Sequence, residues 1–232
     1  MIQEKKEYSN NNLLQCSNNK NLISPFIKEF PKYEPKIKIA VLASGNGSNF
    51  EYIIKSIQNR QLNAEISVLI VNNPNCLAIK KAKKYNIKYV VVNHRDCKSR
   101  IEHDNLIINK LEQYNVEIVV MAGWMRIVGE NLINKFKNRL INIHPSLLPS
   151  FKGIDAIQQA IEAKVTITGC SVHYVQKEVD SGSIIIQAAV PIRPEDDKEK
   201  LTKRIQDMEH IILPLAIAIV AKDIQADLKG KM

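Results

Sequence analysis

Residues Ile37–Arg60, "IKIAVLASGNGSNFEYIIKSIQNR", decide the fold class. The run IKIAVLAS is short, apolar and rich in β-branched residues, the composition of a buried strand. Gly45 and Gly47 then interrupt it. Beyond them, NFEYIIKSIQNR puts Phe50, Ile53, Ile54 and Ile57 on one helical face. A strand that passes through a glycine turn straight into an amphipathic helix is the first half of a βαβ unit.

The pattern repeats downstream. AEISVLIVN, IKYVVVN, VEIVVMAG and LINIH read as strands. CLAIKKAKKYN, SRIEHDNLIINKLEQYN and GENLINKFKNR read as helices between them. Such alternation predicts an α/β fold, a Rossmann-like, mostly parallel twisted sheet flanked by helices. The nearly all-apolar strands fit a sheet covered on both faces. After His144 the pattern changes. GIDAIQQAIEA is a helix, and TGCSVHYVQ and GSIIIQAAVPI flank the turn KEVDSG as a C-terminal antiparallel hairpin. The last long stretch, Asp196 to Lys222, reads as a helix that Pro214 either kinks or restarts.

At 232 residues, 45% hydrophobic and 25% charged, the chain suits one large globular domain with a tail. Residues 1–36 are rich in Asn, Lys and Glu with little periodicity. They are expected to be a flexible N-terminal extension, with one catalytic domain over residues 37–232. No apolar run approaches the ~20 residues a membrane span needs, and the N-terminus has no secretory h-region. Cys16, Cys76, Cys97 and Cys170 are far apart and show no metal-ligand spacing. Reduced thiols in a cytoplasmic protein without a metal are the expectation. The net charge of +9 comes from lysines interleaved with acids, as in RPEDDKEKLTKR. That argues for a solvated surface and anionic small-molecule substrates, not for nucleic acid. Monomer and homodimer both stay open.

Three stretches carry chemistry. In SGNGSN, the amides of Gly47, Ser48 and Asn49 stand at a helix N-terminus, where the dipole favours an anion. No Gly-Lys-Ser/Thr follows, and Phe50 replaces the third glycine of a dinucleotide loop. One phosphate monoester therefore fits better than a dinucleotide; a plain strand-to-helix turn with Ser48 as N-cap uses the same residues. In RLINIHPSLLPSFKG, Asn142 and His144 are two apart on an extended run, so their side chains share a face. They would project from the C-terminal end of a strand, where open α/β sheets bind ligands. An Asn amide can meet a developing oxyanion, and an imidazole can donate or shuttle a proton. The bland alternative is a capped strand end with Asn142 bonded to backbone. In EVDSG, Asp180 can pair with an imidazolium, although Asp-Ser-Gly is also a common turn.

SGNGSN, AGWMRIV, NIHPSLLPSFKG, GCSVHYV, VDSG and QDMEH follow one another from about Lys36 to the C-terminus. In that order and spacing they resemble the phosphoribosylglycinamide formyltransferase family. NIHPSLLP is shared by folate-dependent formyltransferases at large, whereas SGNGSN and QDMEH narrow the resemblance. The resemblance implies that Asn142, His144 and Asp180 form a catalytic trio. It implies that Gly47, Ser48, Asn49, Gln206 and Glu209 bind glycinamide ribonucleotide. It implies that Arg100, Met125, Arg126, Ile127, Val128 and Asn142 bind the folate co-substrate, 10-formyltetrahydrofolate. The formyl group would pass directly to the nucleotide amine in purine biosynthesis. His173, on a strand near the trio, is expected to pack rather than react. Two other formyl-folate enzymes compete with this reading. A formyltetrahydrofolate hydrolase would carry a regulatory domain larger than the 36-residue extension, and a methionyl-tRNA formyltransferase would carry a C-terminal RNA-binding domain. A basic nucleic-acid-binding α/β module would leave Asn142, His144 and the glycine loop without a purpose.

Overall fold

The computed structural model describes residues 23–229. In chain order its elements are β1 (Ile23–Ser24), β2 (Ile37–Ala43), α1 (Ser48–Gln58), β3 (Ala64–Val71), α2 (Leu77–Lys84), β4 (Tyr89–Val91), α3 (Arg100–Gln113), β5 (Ile118–Met121), α4 (Glu130–Lys135), β6 (Leu140–His144), α5 (Ala156–Glu162), β7 (Ile167–Tyr174), β8 (Ile184–Pro191) and α6 (Lys198–Lys229). The eight strands make one sheet in the order β1-β8-β7-β6-β5-β2-β3-β4. From β6 through β4 the pairing is parallel, and β7, β8 and β1 are antiparallel. This is the expected α/β sheet with its added hairpin.

β2 is the central support. Its side chains alternate between the two faces, as the period of a strand requires. Ile39, Val41 and Ala43 join Phe50 and Ile53 of α1 and Leu213 and Ile217 of α6 in one core. Ala40 and Leu42 join Ile107 and Leu111 of α3 and Leu132 of α4 in the other. Two apolar layers therefore grip the strand that launches the glycine loop. Among the described residues, no helix is long and apolar enough to cross a membrane.

Four sequence expectations are adjusted by packing. Only Tyr89–Val91 of IKYVVVN is strand, because β4 is an edge strand paired with β3 alone and partly solvated. The helix read from GENLINKFKNR stops at Lys135; Phe136 turns into the core and Asn138 takes a left-handed backbone (φ 58) that leads into β6. Pro214 lies inside α6, which runs on without a restart. The extension divides: residues 1–22 lie outside the described residues, whereas 23–36 are docked. β1 pairs with the outer edge of β8, Tyr33 is buried, and the Pro35 carbonyl accepts from Gln225 Nε2 of α6 at 2.6 Å. Scattered apolar residues without periodicity concealed that docking.

Candidate active site

β2 lies where the chain order of the sheet reverses, with β3 on one side and β5 on the other. The loops after β2 and β5 therefore part around a crevice at the C-terminal edge, the usual ligand position in such sheets. Register carries the same edge into β6: Leu42 pairs with Met121, and Met121 with Asn142. Ser44 ties the two loops together. Its amide donates to the Gly123 carbonyl at 3.0 Å, and its hydroxyl accepts from the Met125 amide at 2.8 Å.

Asn142 and His144 stand at the end of β6, and Asp180 comes to them from the β7–β8 turn. His144 Nδ1 is 3.3 Å from Asp180 Oδ2, and His144 Nε2 is 2.8 Å from the Phe151 carbonyl. Each ring nitrogen faces an acceptor, so both N–H groups find partners when the ring carries two protons. Asp180 Oδ2 also accepts from the Gly153 amide at 2.9 Å, while Oδ1 is 3.5 Å from Asn142 Nδ2. Burial pushes the Asp180 carboxyl up, but the contact with His173, the Gly153 amide and the His144 and His173 charges together bring it below its ordinary value. Asp180 therefore stays a carboxylate. It holds a positive φ of 49°, which Asp tolerates, and Gly182 behind it is obligatory. A Cβ at Gly182 would meet the Tyr174 carbonyl at 1.7 Å.

His173 joins this cluster. Its Nδ1 is 2.9 Å from the Tyr174 carbonyl, and its Nε2 faces Asn142 Nδ2 at 3.2 Å and Asp180 Oδ1 at 3.5 Å. Sequence reading expected it to pack beside the trio, and the in-register pairing of Asn142 with His173 makes that contact a hydrogen-bonded one. An amide, an imidazole and a carboxylate so linked can meet negative charge and move a proton.

The glycine loop opens α1 with Gly47, not Ser48, at the N-cap, in left-handed conformation (φ 65, ψ 36). A Cβ there would approach the Ala78 Cβ to 2.9 Å. The amides of Gly47, Ser48 and Asn49 have no acceptor among the described residues. Asn49 Nδ2 donates to Glu209 Oε2 of α6 at 2.8 Å, which joins two of the residues expected at the nucleotide. Burial pushes the Glu209 carboxyl up to about 7 against the opposing Asn49 bond. Gln206, one turn earlier, does not bond to the loop; it lines a groove of about 560 Å³ with Lys198, Thr202 and Lys203. Across the crevice, Arg100, Ile127 and Val128 line a groove of about 630 Å³. Met125 and Ile127 are exposed, apolar surface that a flat ring could cover, and Arg126 is solvated beside them. Lys81, a further polar contact to the loop, carried no sequence signal.

Known proteins share this fold and much of this sequence. The family model described as formyl transferase matches residues 37–217. The human trifunctional purine biosynthetic protein adenosine-3 is 41% identical over 198 residues, covering 85% of this chain and 20% of that protein. The chain thus spans about a fifth of the length of that curated relative. Phosphoribosylglycinamide formyltransferase from Bacillus halodurans superposes with a TM-score of 0.77 at 38% identity, covering 79% of this chain and 94% of that one. Glycinamide ribonucleotide transformylase 1 from Geobacillus kaustophilus gives 0.78 at 35% identity, with 81% and 100% covered. With the family match spanning most of the chain and these structures covered nearly end to end, the chain belongs to the formyl transferase family, on the branch of the phosphoribosylglycinamide formyltransferases.

Proposed function

We propose that the protein transfers the formyl group of 10-formyltetrahydrofolate to the primary amine of phosphoribosylglycinamide. The observation that carries the reading is the linked set Asn142, His144 and Asp180 at the crevice, in a chain of this family. The amides of Gly47, Ser48 and Asn49 would receive the nucleotide phosphate, with Glu209 and Gln206 reaching the rest of the nucleotide. Arg100 and the Met125–Val128 segment would hold the folate, its flat ring over the exposed apolar side chains and its carboxylates toward Arg100.

In the proposed step the amine attacks the formyl carbon. A C–N bond forms, and the carbonyl oxygen becomes an oxyanion. Asn142 Nδ2 and a protonated His144 donate to that oxygen, His144 exchanging its Phe151 partner for it. The tetrahedral species then collapses. The bond from carbon to the folate nitrogen breaks, and a proton lost by the amine is delivered to that nitrogen. Asp180 orients the imidazole and, as a carboxylate, stabilises its cationic form. His173 supports Asn142 and Asp180 from β7.

The test is formyl transfer followed by folate absorbance, with and without phosphoribosylglycinamide. Turnover should require the nucleotide, and kcat should fall by on the order of 10²–10³ in His144→Ala and Asp180→Asn. Folate breakdown without nucleotide would mark a hydrolase instead. No turnover under either condition would end the reading.

A further inference from the structure

We infer that Lys81 of α2 is a positioning residue for the phosphate loop: it bridges the Gly47 carbonyl and the Glu51 carboxylate, fixing the Ser48 amide outward and neutralising the acid in the first turn of α1. The inference rests on the proposed phosphate site at residues 47–49. Lys81 Nζ donates to the Gly47 carbonyl at 3.3 Å and pairs with Glu51 Oε2 at 2.7 Å. Tyr85, one turn on, donates its hydroxyl to Glu51 Oε1 at 2.9 Å. The Ala78 amide donates to the Gly45 carbonyl at 3.1 Å. α2 thus holds two carbonyls of the loop and the first-turn acid of α1.

The consequence follows from peptide geometry. In a trans peptide the C=O and the following N–H point in opposite directions. With the Gly45 carbonyl turned to α2, the Asn46 amide points away from it. With the Gly47 carbonyl bound by Lys81 and by the Glu51 amide at 3.1 Å, the Ser48 amide points out along the helix axis. Gly47 can hold this left-handed turn only because it lacks a Cβ. Lys81 therefore fastens the residue at which the loop takes its left-handed turn.

Charge supplies the second part. Glu51 is the acid in the first turn of α1, close to where an anion of nearly two charges would sit. Lys55 and Lys84 stand farther from it, at 4.0 and 3.9 Å. The Lys81 hydrogen bond is the largest cause holding the Glu51 carboxyl down, to about 2, against burial. Without Lys81 the Glu51 carboxylate would lose its nearest cation, leaving only Lys55 and Lys84 at 4.0 and 3.9 Å.

The experiment is steady-state kinetics with inorganic phosphate as a competitor of the nucleotide, on wild type, Lys81→Met, Lys81→Arg and Glu51→Gln/Lys81→Met. In Lys81→Met, KM for the nucleotide and Ki for phosphate should rise together, by about tenfold, the factor for one charge-assisted hydrogen bond at its lower bound. KM for the folate should not move. Lys81→Arg should retain most of the affinity, and adding Glu51→Gln should recover part of it. If the single variant fails to fold, the double variant, which leaves no acid unpaired, is read in its place. Unchanged KM and Ki, or an equal rise in both substrates' KM, would overturn the role of Lys81 and leave the phosphate site standing. Phosphate that fails to compete even in wild type would remove the phosphate site and the role of Lys81 with it.

Discussion

Two buried carboxylates near the crevice are pushed in opposite directions by their surroundings. Asp180 is drawn below its ordinary value because an amide and two imidazoles outweigh burial. Glu209 is raised from 4.5 to about 7 because burial outweighs its single donor, Asn49. A raised acid binds its proton more tightly in the folded state than in the unfolded one, so stability falls as pH climbs from 4.5 to about 7 and stays lower above. Glu209→Gln removes that dependence. Its melting temperature should exceed wild type at pH 8.5 and match it at pH 4, a gain on the order of 3 kcal/mol at the alkaline end. Affinity for the nucleotide should drop in the same variant. Equal melting curves at both pH values would show that Glu209 titrates normally. At this scale the sequence was informative about residue type but not about state. QDMEH pointed to Glu209, yet only the packing of α6 against α1 says how far its charge is opposed.

The elements that carry the site end where a single residue allows it. α1 begins at Gly47 because only a residue without Cβ fits against Ala78 with a positive φ. α3 begins at Ser99, whose hydroxyl accepts from the Glu102 amide at 3.1 Å and thereby places Arg100 in the first turn, where it lines a groove with Ile127 and Val128. The β7–β8 turn delivers Asp180 because Gly182 lets the chain pass the Tyr174 carbonyl. Gly182→Ala should destabilise the protein by more than about 2 kcal/mol, since the crowding atom is backbone and cannot rotate away. It should also lower kcat, because Asp180 moves with the turn. Urea unfolding and turnover on the same sample check both; a loss of stability with kcat intact would separate the turn from the site. The β2 loop and the β6 end were legible here because strand periodicity and glycine punctuation are local signals. The Ser44 bridge to Met125 was not, since nothing in either segment names the other.

Across the whole molecule, the segment 23–36 behaves as part of the packed structure. β1 covers the edge of β8, the Tyr33 carbonyl accepts from Asn63 Nδ2 at 3.2 Å, and Pro35 is held by Gln225. An exposed β8 edge would offer unpaired backbone to other chains. A chain starting at residue 37 should melt roughly 4–8 °C below one starting at residue 23, equivalent to about 2 kcal/mol, and should associate more readily on a sizing column. Equal melting points would mean that the docking contributes nothing. By itself the sequence determined the α/β class, the glycine loop that opens a helix and the shared face of Asn142 and His144. Each of these follows from periods of 2 and 3.6 residues and from glycine, acting over a few neighbours. Only the tertiary structure decided that His173 and the Gly153 amide meet the Asp180 carboxylate beside His144, that Lys81 reaches the Gly47 carbonyl, and that β1 pairs with the outer edge of β8. Those contacts depend on strand register and helix packing between distant segments, which local pattern does not encode.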